Sequence, residues 1–337
     1  MTFKFKPAQT KQPTTSNSNY ERRDVDWEAL NAHLIEAAGT ATNPEVYPGV
    51  ISQIVDLGIH LKVNDEDFDP DITYPENATF YTSKGVKKVK YTTGRELQYV
   101  AVLVDFPDII VDKSLYFTGE SNPLPLRMIL NGERGRREAD GKWVVYVDKM
   151  FSLGQMKHPN GKFALAKQNK LHVLAEKAGL LDSDGLFTPD RIGELLGKAL
   201  MFEINLRMNQ ADNGKLYFNE SIKSPTIIPR SIKAPTLDPS LIGGVLWSDG
   251  SDPDENEVKK LRASVKNTIK NATNFNGSTI ASLIDKPREQ NDNSRPVNPP
   301  TEVTKPKASP VKPVVKPAPA KAVSWEDEPE DVDSPFG

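Results

Sequence analysis

The stretch ALMFEINLRMN (199–209) decides the fold. Its Leu200, Phe202, Ile204, Leu206 and Met208 alternate with Glu203, Asn205 and Arg207, the period-two pattern of a strand with one buried face. KLYFNESIK (215–223) repeats the pattern, with Leu216, Phe218 and Ile222 against Lys215, Tyr217, Asn219 and Lys223. Upstream the period becomes helical. ALAKQNKLHVLAEKAGLL (164–181) places Leu171, Leu174, Ala175 and Ala178 on one face, and TPDRIGELLG opens with Thr188 as cap and Pro189 in the first turn. Further upstream three strands are expected. They are VYPGVISQIVDLGIHLKV (46–63), which bends sharply at Gly58; ELQYVAVLVDF (96–106); and PLRMILN (125–131). KWVVYVDKMF (142–151) either continues the third or pairs beside it. Three strands, a helix and two strands is the order of an OB-fold, so the expected class is mainly β with helices (α+β): a five-stranded barrel with a helix between strands 3 and 4.

Composition divides the rest of the chain. The 337 residues include 27 prolines and only 37 % hydrophobic residues, which favours one modest domain with unfolded tails. Residues 1–23 read as a disordered arm, and DVDWEALNAHLIEAAG (24–39) as a helix capped by Asp24 and stopped by Gly39, within a 24–45 segment. The barrel is expected over 46–230. A C-terminal extension, 231–285, contains a helix at 257–272 around Leu261, Val265 and Ile269. Residues 286–323 hold nine prolines and no aromatic residue, the composition of an extended, disordered tether. The last segment, SWEDEPEDVDSPFG (324–337), is an acidic tip.

The net charge of −3 hides a division. Residues 1–285 carry 35 basic and 37 acidic side chains, 286–323 carry 8 and 3, and 324–337 carry 0 and 6. A nucleic-acid surface must therefore be a local patch. With no cysteine, disulfides, thiolate metal sites and cysteine nucleophiles are excluded. The N-terminus lacks the apolar core of a signal peptide, and no run of eighteen apolar residues occurs, so a soluble intracellular protein is expected.

Catalytic signals are sparse. NDEDFDPD (64–71) is rich in carboxylates but lacks the glycine and final glutamate of a calcium loop. GELLGK (193–198) is one residue short of a phosphate loop, and Ala199 stands where Ser or Thr is needed. His33, His60, His158 and His172 have no zinc-like spacing. No metal, cofactor or catalytic residue is assigned. A metal-dependent nuclease using Asp65, Glu66, Asp67 and Asp69 stands as one rival reading, and a strand-annealing or protein-interaction factor as another.

Binding leaves a stronger trace. FYTSKGVKKVKYTTGR (80–95) interleaves Tyr81 and Tyr91 with Lys84, Lys87, Lys88, Lys90 and Arg95, pairing π-faces for bases with cations for phosphates. NGERGRRE (131–138) adds Arg134, Arg136 and Arg137 in a glycine-loosened loop. On the strands, Arg127 lies opposite Leu126 and Met128, while Lys215, Tyr217 and Lys223 share the outward face of the last strand. Trp143 and Tyr146 are weaker candidates, since large aromatics in a Val-rich strand are commonly core.

YPGVISQIVDLG (47–58), LQYVAVLVDFPD (97–108) and the run from Ile192 to Pro229 together resemble bacteriophage-encoded single-stranded DNA-binding proteins. The resemblance implies an OB barrel that coats single strands, without strong sequence preference, during replication, recombination and repair in the infected bacterial cytoplasm. The tip resembles the acidic tails of such proteins through Asp331, Asp333, Pro335 and Phe336, and departs from them in ending on Gly337. The resemblance implies that this tail competes with DNA for the basic groove and recruits replication or recombination proteins. Expected partners are thus single-stranded DNA and those proteins, with no membrane and with self-association left open.

Overall fold

A computed structural model describes residues 27–112, 123–138, 141–210, 216–223 and 225–284, with backbone alone at Trp27, Gln210, Leu216 and Tyr217. In chain order the elements begin with α1 (Trp27–Ala37), β1 (Glu45–Asp67), β2 (Thr79–Ser83), β3 (Val86–Val111), β4 (Leu124–Ile129), β5 (Glu133–Arg137) and β6 (Trp143–Val147). There follow β7 (Phe151–Ser152), β8 (Gln155–Lys157), β9 (Phe163–Leu165), α2 (Lys170–Lys177), β10 (Ala199–Gln210) and β11 (Leu216–Ile222). The series closes with β12 (Gly243–Val245), α3 (Glu255–Lys259), α4 (Ala263–Lys270) and α5 (Thr279–Ile284). No helix among the described residues is long and apolar enough to cross a membrane.

The fold is α+β, built on an antiparallel sheet in which β4, β3, β1, β10 and β11 are successive neighbours. The expected barrel does not close. After Ile222 the chain stays on β10, through Lys223 N–H to Glu203 O at 2.8 Å and the Met201–Thr226 bridge, and forms no ladder with β4. The seam is a cleft of about 530 Å³ with Leu130, Phe151, Leu174, Met201, Ile222 and Pro225 in its walls. Its floor is the first core. Leu200, Phe202, Ile204 and Leu206 from β10 meet Val100, Val102, Val104 and Phe106 from β3 there, and Leu30 and Leu34 of α1 and Leu171 and Leu174 of α2 close it.

The opposite face of the same strands is also buried. Val55, Leu57, Tyr99, Ala101, Leu103 and Ile129 form a second core with Val245, Trp247 and Leu261, Val265 and Ile269 from the C-terminal segment. This explains why LQYVAVLVDF reads as an unbroken apolar run: both faces of β3 are covered. The bend in β1 at Gly58 is real, with φ of 88° and a register shift between Asp56 and Gly58. Beside it the buried Asp56 carboxylate accepts from Gly58 N at 2.8 Å, Ser248 N at 3.0 Å and Gln98 Nε2 at 3.2 Å. Trp247 Nε1 donates to Asp56 O at 2.7 Å, so the kink ties Trp247 and Ser248 to β1.

Several local expectations change. The helix expected over 164–181 shortens to α2, because Phe163–Leu165 pairs with β8 and the Asn169 side chain accepts from Leu171 N–H to cap a later start. The stretch 189–195 is a 3₁₀ helix, without a side-chain cap from Thr188. Residues 257–272 split into α3 and α4, and Arg262 stands at the break. NGERGRRE is not a loop: its Glu133–Arg137 is β5, paired with β6 in a separate two-stranded sheet.

Candidate nucleic-acid interface

The insertion at 80–95 is a three-stranded arm. The ends of β1 and β3 continue pairing past the body of the sheet, and β2 adds to β3 through a two-residue turn at Lys84 and Gly85, with φ of 50° and 79°. Register sets what each face carries. Tyr81 is opposite Lys88, which is opposite Asp67, and Lys90 is opposite both Thr79 and Asp65. Tyr81, Lys88 and Lys90 therefore share one face with Asp65 and Asp67.

The other face is aromatic. Phe68, Tyr74, Phe80 and Tyr91 pack with ring centroids 5.5 to 5.9 Å apart, and Lys87 Nζ sits 3.8 Å above the Phe68 ring. Tyr91 is tied to Glu66 at 2.9 Å and Asn64 at 3.0 Å. Tyr81 and Tyr91 thus do not form one stacking platform; they lie on opposite faces.

The acidic stretch 64–71 and the basic stretch 84–90 turn out to be cross-strand partners. Lys88 pairs with Asp67 at 2.8 Å and Tyr81 donates to Asp65 at 2.5 Å. The bond to Asp65 raises the Tyr81 hydroxyl pKa, and the bond to Asp67 raises that of Lys88. Among the described residues no three His, Asp or Glu side chains group as metal ligands.

Of the cations expected to bind, Lys84, Lys87, Lys90, Arg95, Arg134 and Arg137 make no ion pair among the described residues, and all are exposed. The charge of Arg134 opposes, as the smallest of the contributions, the rise that Asp65 causes in the Tyr81 hydroxyl pKa. On β5 and β6 Arg134 faces Tyr146 across the ladder, and Arg136 shares their side. Arg136 lies 4.3 Å above the Tyr146 ring while pairing with Glu138 at 2.8 Å, and Tyr146 donates to the same Glu138 at 2.7 Å. Glu138 raises the Arg136 pKa. The arm thus carries Tyr81, Lys88 and Lys90 on one face, and the β5–β6 hairpin carries Arg134, Arg136 and Tyr146 on one side.

Other expected residues lie elsewhere. Arg127 is held in a fork on buried Asp105, at 2.7 and 2.8 Å, with a third bond of 3.2 Å to Leu241 O. Lys223 pairs with Glu203 at 2.6 Å and lines the seam cleft with Lys149 and Lys170. Arg137 is exposed on the side of Trp143, whose ring lies across Gly135. Lys215, the Tyr217 side chain, and Asp331, Asp333, Pro335 and Phe336 lie outside the described residues.

Tyr146, in a Val-rich strand where large aromatics are commonly core, is half-buried. The signal is in WVVYV: Val147 points into the second core and Val145 is buried on the same side, so Tyr146 must point the other way. What no local pattern could show is that the face of β3 and β4 opposite the first core packs against α4 and Trp247. Comparisons with protein-family models, curated proteins and solved structures find no match.

Proposed function

We propose that this chain binds single-stranded nucleic acid without chemistry, bases stacking on Tyr81 and Tyr146 and phosphates meeting Lys90, Arg134 and Arg136. The observation that carries the reading is one side of the β5–β6 hairpin, where Arg136 is stacked on Tyr146 and Arg134 stands across the ladder from it. The arm adds a second exposed π-face, Tyr81, and a cation, Lys90, on one face of its strands. Aromatic faces beside mobile cations are the minimal requirement for sequence-tolerant single-strand binding.

The strand order β4-β3-β1-β10-β11 supports an OB-type ancestry for the sheet, with the seam left open. In that reading the C-terminal segment has taken over the usual ligand face, and binding has moved to the arm and the β5–β6 hairpin. The resemblance to phage single-stranded DNA-binding proteins supports a role in coating DNA during replication, recombination and repair inside an infected bacterium. It also supports recruitment of other replication proteins by the acidic tip around Asp331, Asp333, Pro335 and Phe336.

Single substitutions test the placement. Tyr146→Ala and Tyr81→Ala should each weaken binding of an oligo-dT strand by about 5- to 150-fold, the loss of one stacked base. Lys162→Ala, which removes the partner of Asp184 outside the proposed surface, should leave affinity unchanged. Equal affinity in all four proteins would remove the surface from consideration.

A further inference from the structure

The outer edge of β2 is open and unguarded. Its five residues, TFYTS, are exposed or half-exposed, with Phe80 at 50 % and Tyr81 at 38 %. No described strand pairs with that edge. Natural edges are blunted by lysine, proline, bulges or covering loops. Here β2 has no charge, no proline and no register shift against β3.

Hydrogen-bond parity says which groups the edge offers. The tight turn at Lys84 and Gly85 makes Ser83 and Val86 a mutually bonded pair, and the alternation then uses Tyr81 and Thr79 on β3. Lys87, opposite Thr82, sends its carbonyl the other way, to Phe68 N at 2.8 Å. Phe80 and Thr82 therefore direct their N–H and C=O groups outward.

We propose that two copies of this chain dimerise by antiparallel pairing of β2 with β2, Phe80 of one copy bonded to Thr82 of the other. This arrangement has a two-fold axis through Tyr81 and satisfies all four outward amide groups on each side. It faces Thr79 of one copy with Ser83 of the other, two hydroxyl side chains. A self-complementary register favours a second copy over an unrelated strand. The inference stands on the edge alone and does not depend on nucleic-acid binding.

The chain has no cysteine, so single cysteines report the register cleanly. At the axis the paired positions form a non-hydrogen-bonded pair with Cα atoms about 4.5 Å apart, within disulfide range. Full-length Tyr81→Cys should oxidise to a covalent dimer, while Ser83→Cys, displaced from the axis by two residues on each copy, should not. Thr82→Pro deletes one outward N–H without touching the β2–β3 ladder. It should turn a dimer, measured by sedimentation, into a monomer with unchanged circular dichroism. A monomeric wild type, a dimeric Thr82→Pro, or equal crosslinking of both cysteine variants would overturn the proposal.

Discussion

Gly58 and Gly250 share a φ of 88° but differ in surroundings, so the pair separates backbone strain from packing. A Cβ on Gly250 meets nothing within 4 Å, whereas on Gly58 it would stand 2.5 and 2.7 Å from the Trp247 ring and 2.6 Å from Ala272 Cβ. Alanine at either position incurs about 1–2 kcal/mol for the positive φ. At Gly58 the displaced indole adds about 1–3 kcal/mol of overpacking. Gly58→Ala should therefore destabilise by about 2–5 kcal/mol, and Gly250→Ala by about 1–2 kcal/mol. For a domain whose total stability is about 5–15 kcal/mol, that gap is easily read from urea midpoints followed by far-ultraviolet circular dichroism. Equal losses in the two variants would mean that Trp247 does not lie on the β1 kink, and the second core as described would be wrong.

Three further outcomes are expected. Arg262 sits between Glu220 at 2.9 Å and Glu133 at 3.4 Å in a buried group joining α4 to β5 and β11; Arg262→Met should cost about 3–5 kcal/mol by stranding two carboxylates. Burial raises the Glu133 pKa, so proton uptake favours the folded state and that deficit should shrink as urea titrations move from neutral to acid pH. Burial lowers the pKa of His60 from 6.5, so its contribution is present above that pH and is lost as pH falls through the lower folded value. Wild type should lose more stability than His60→Gln across that window. Replacing Asp65 and Asp67 together by Asn frees Tyr81 and Lys88, and should tighten oligo-dT binding and steepen the log–log salt slope by about 0.7 per added phosphate contact.

How much was legible in the sequence follows from what each pattern reports. Period two in 199–209 and the glycine in 46–63 report local geometry, and β10 and the β1 kink appear where those patterns place them. Charge runs report composition without pairing. NDEDFDPD and VKKVK looked like two separate sites, yet they lie opposite each other in β1 and β3, and only the register reveals that Asp67 answers Lys88. The same holds for Arg127, whose partner Asp105 is 22 residues away. The helices at the two ends carried amphipathic faces without stating a target. Leu30 and Leu34 join the first core, whereas Val265 and Ile269 cover the face that a bare barrel would leave exposed.

The most direct measurement is fluorescence anisotropy of a labelled oligo-dT strand and its duplex, titrated with the full chain over a range of salt concentrations. Preferential binding of the single strand is predicted, with log affinity falling linearly against log salt at about −0.7 per phosphate contacted. Binding that ignores salt, or that is as strong for the duplex, would contradict the account.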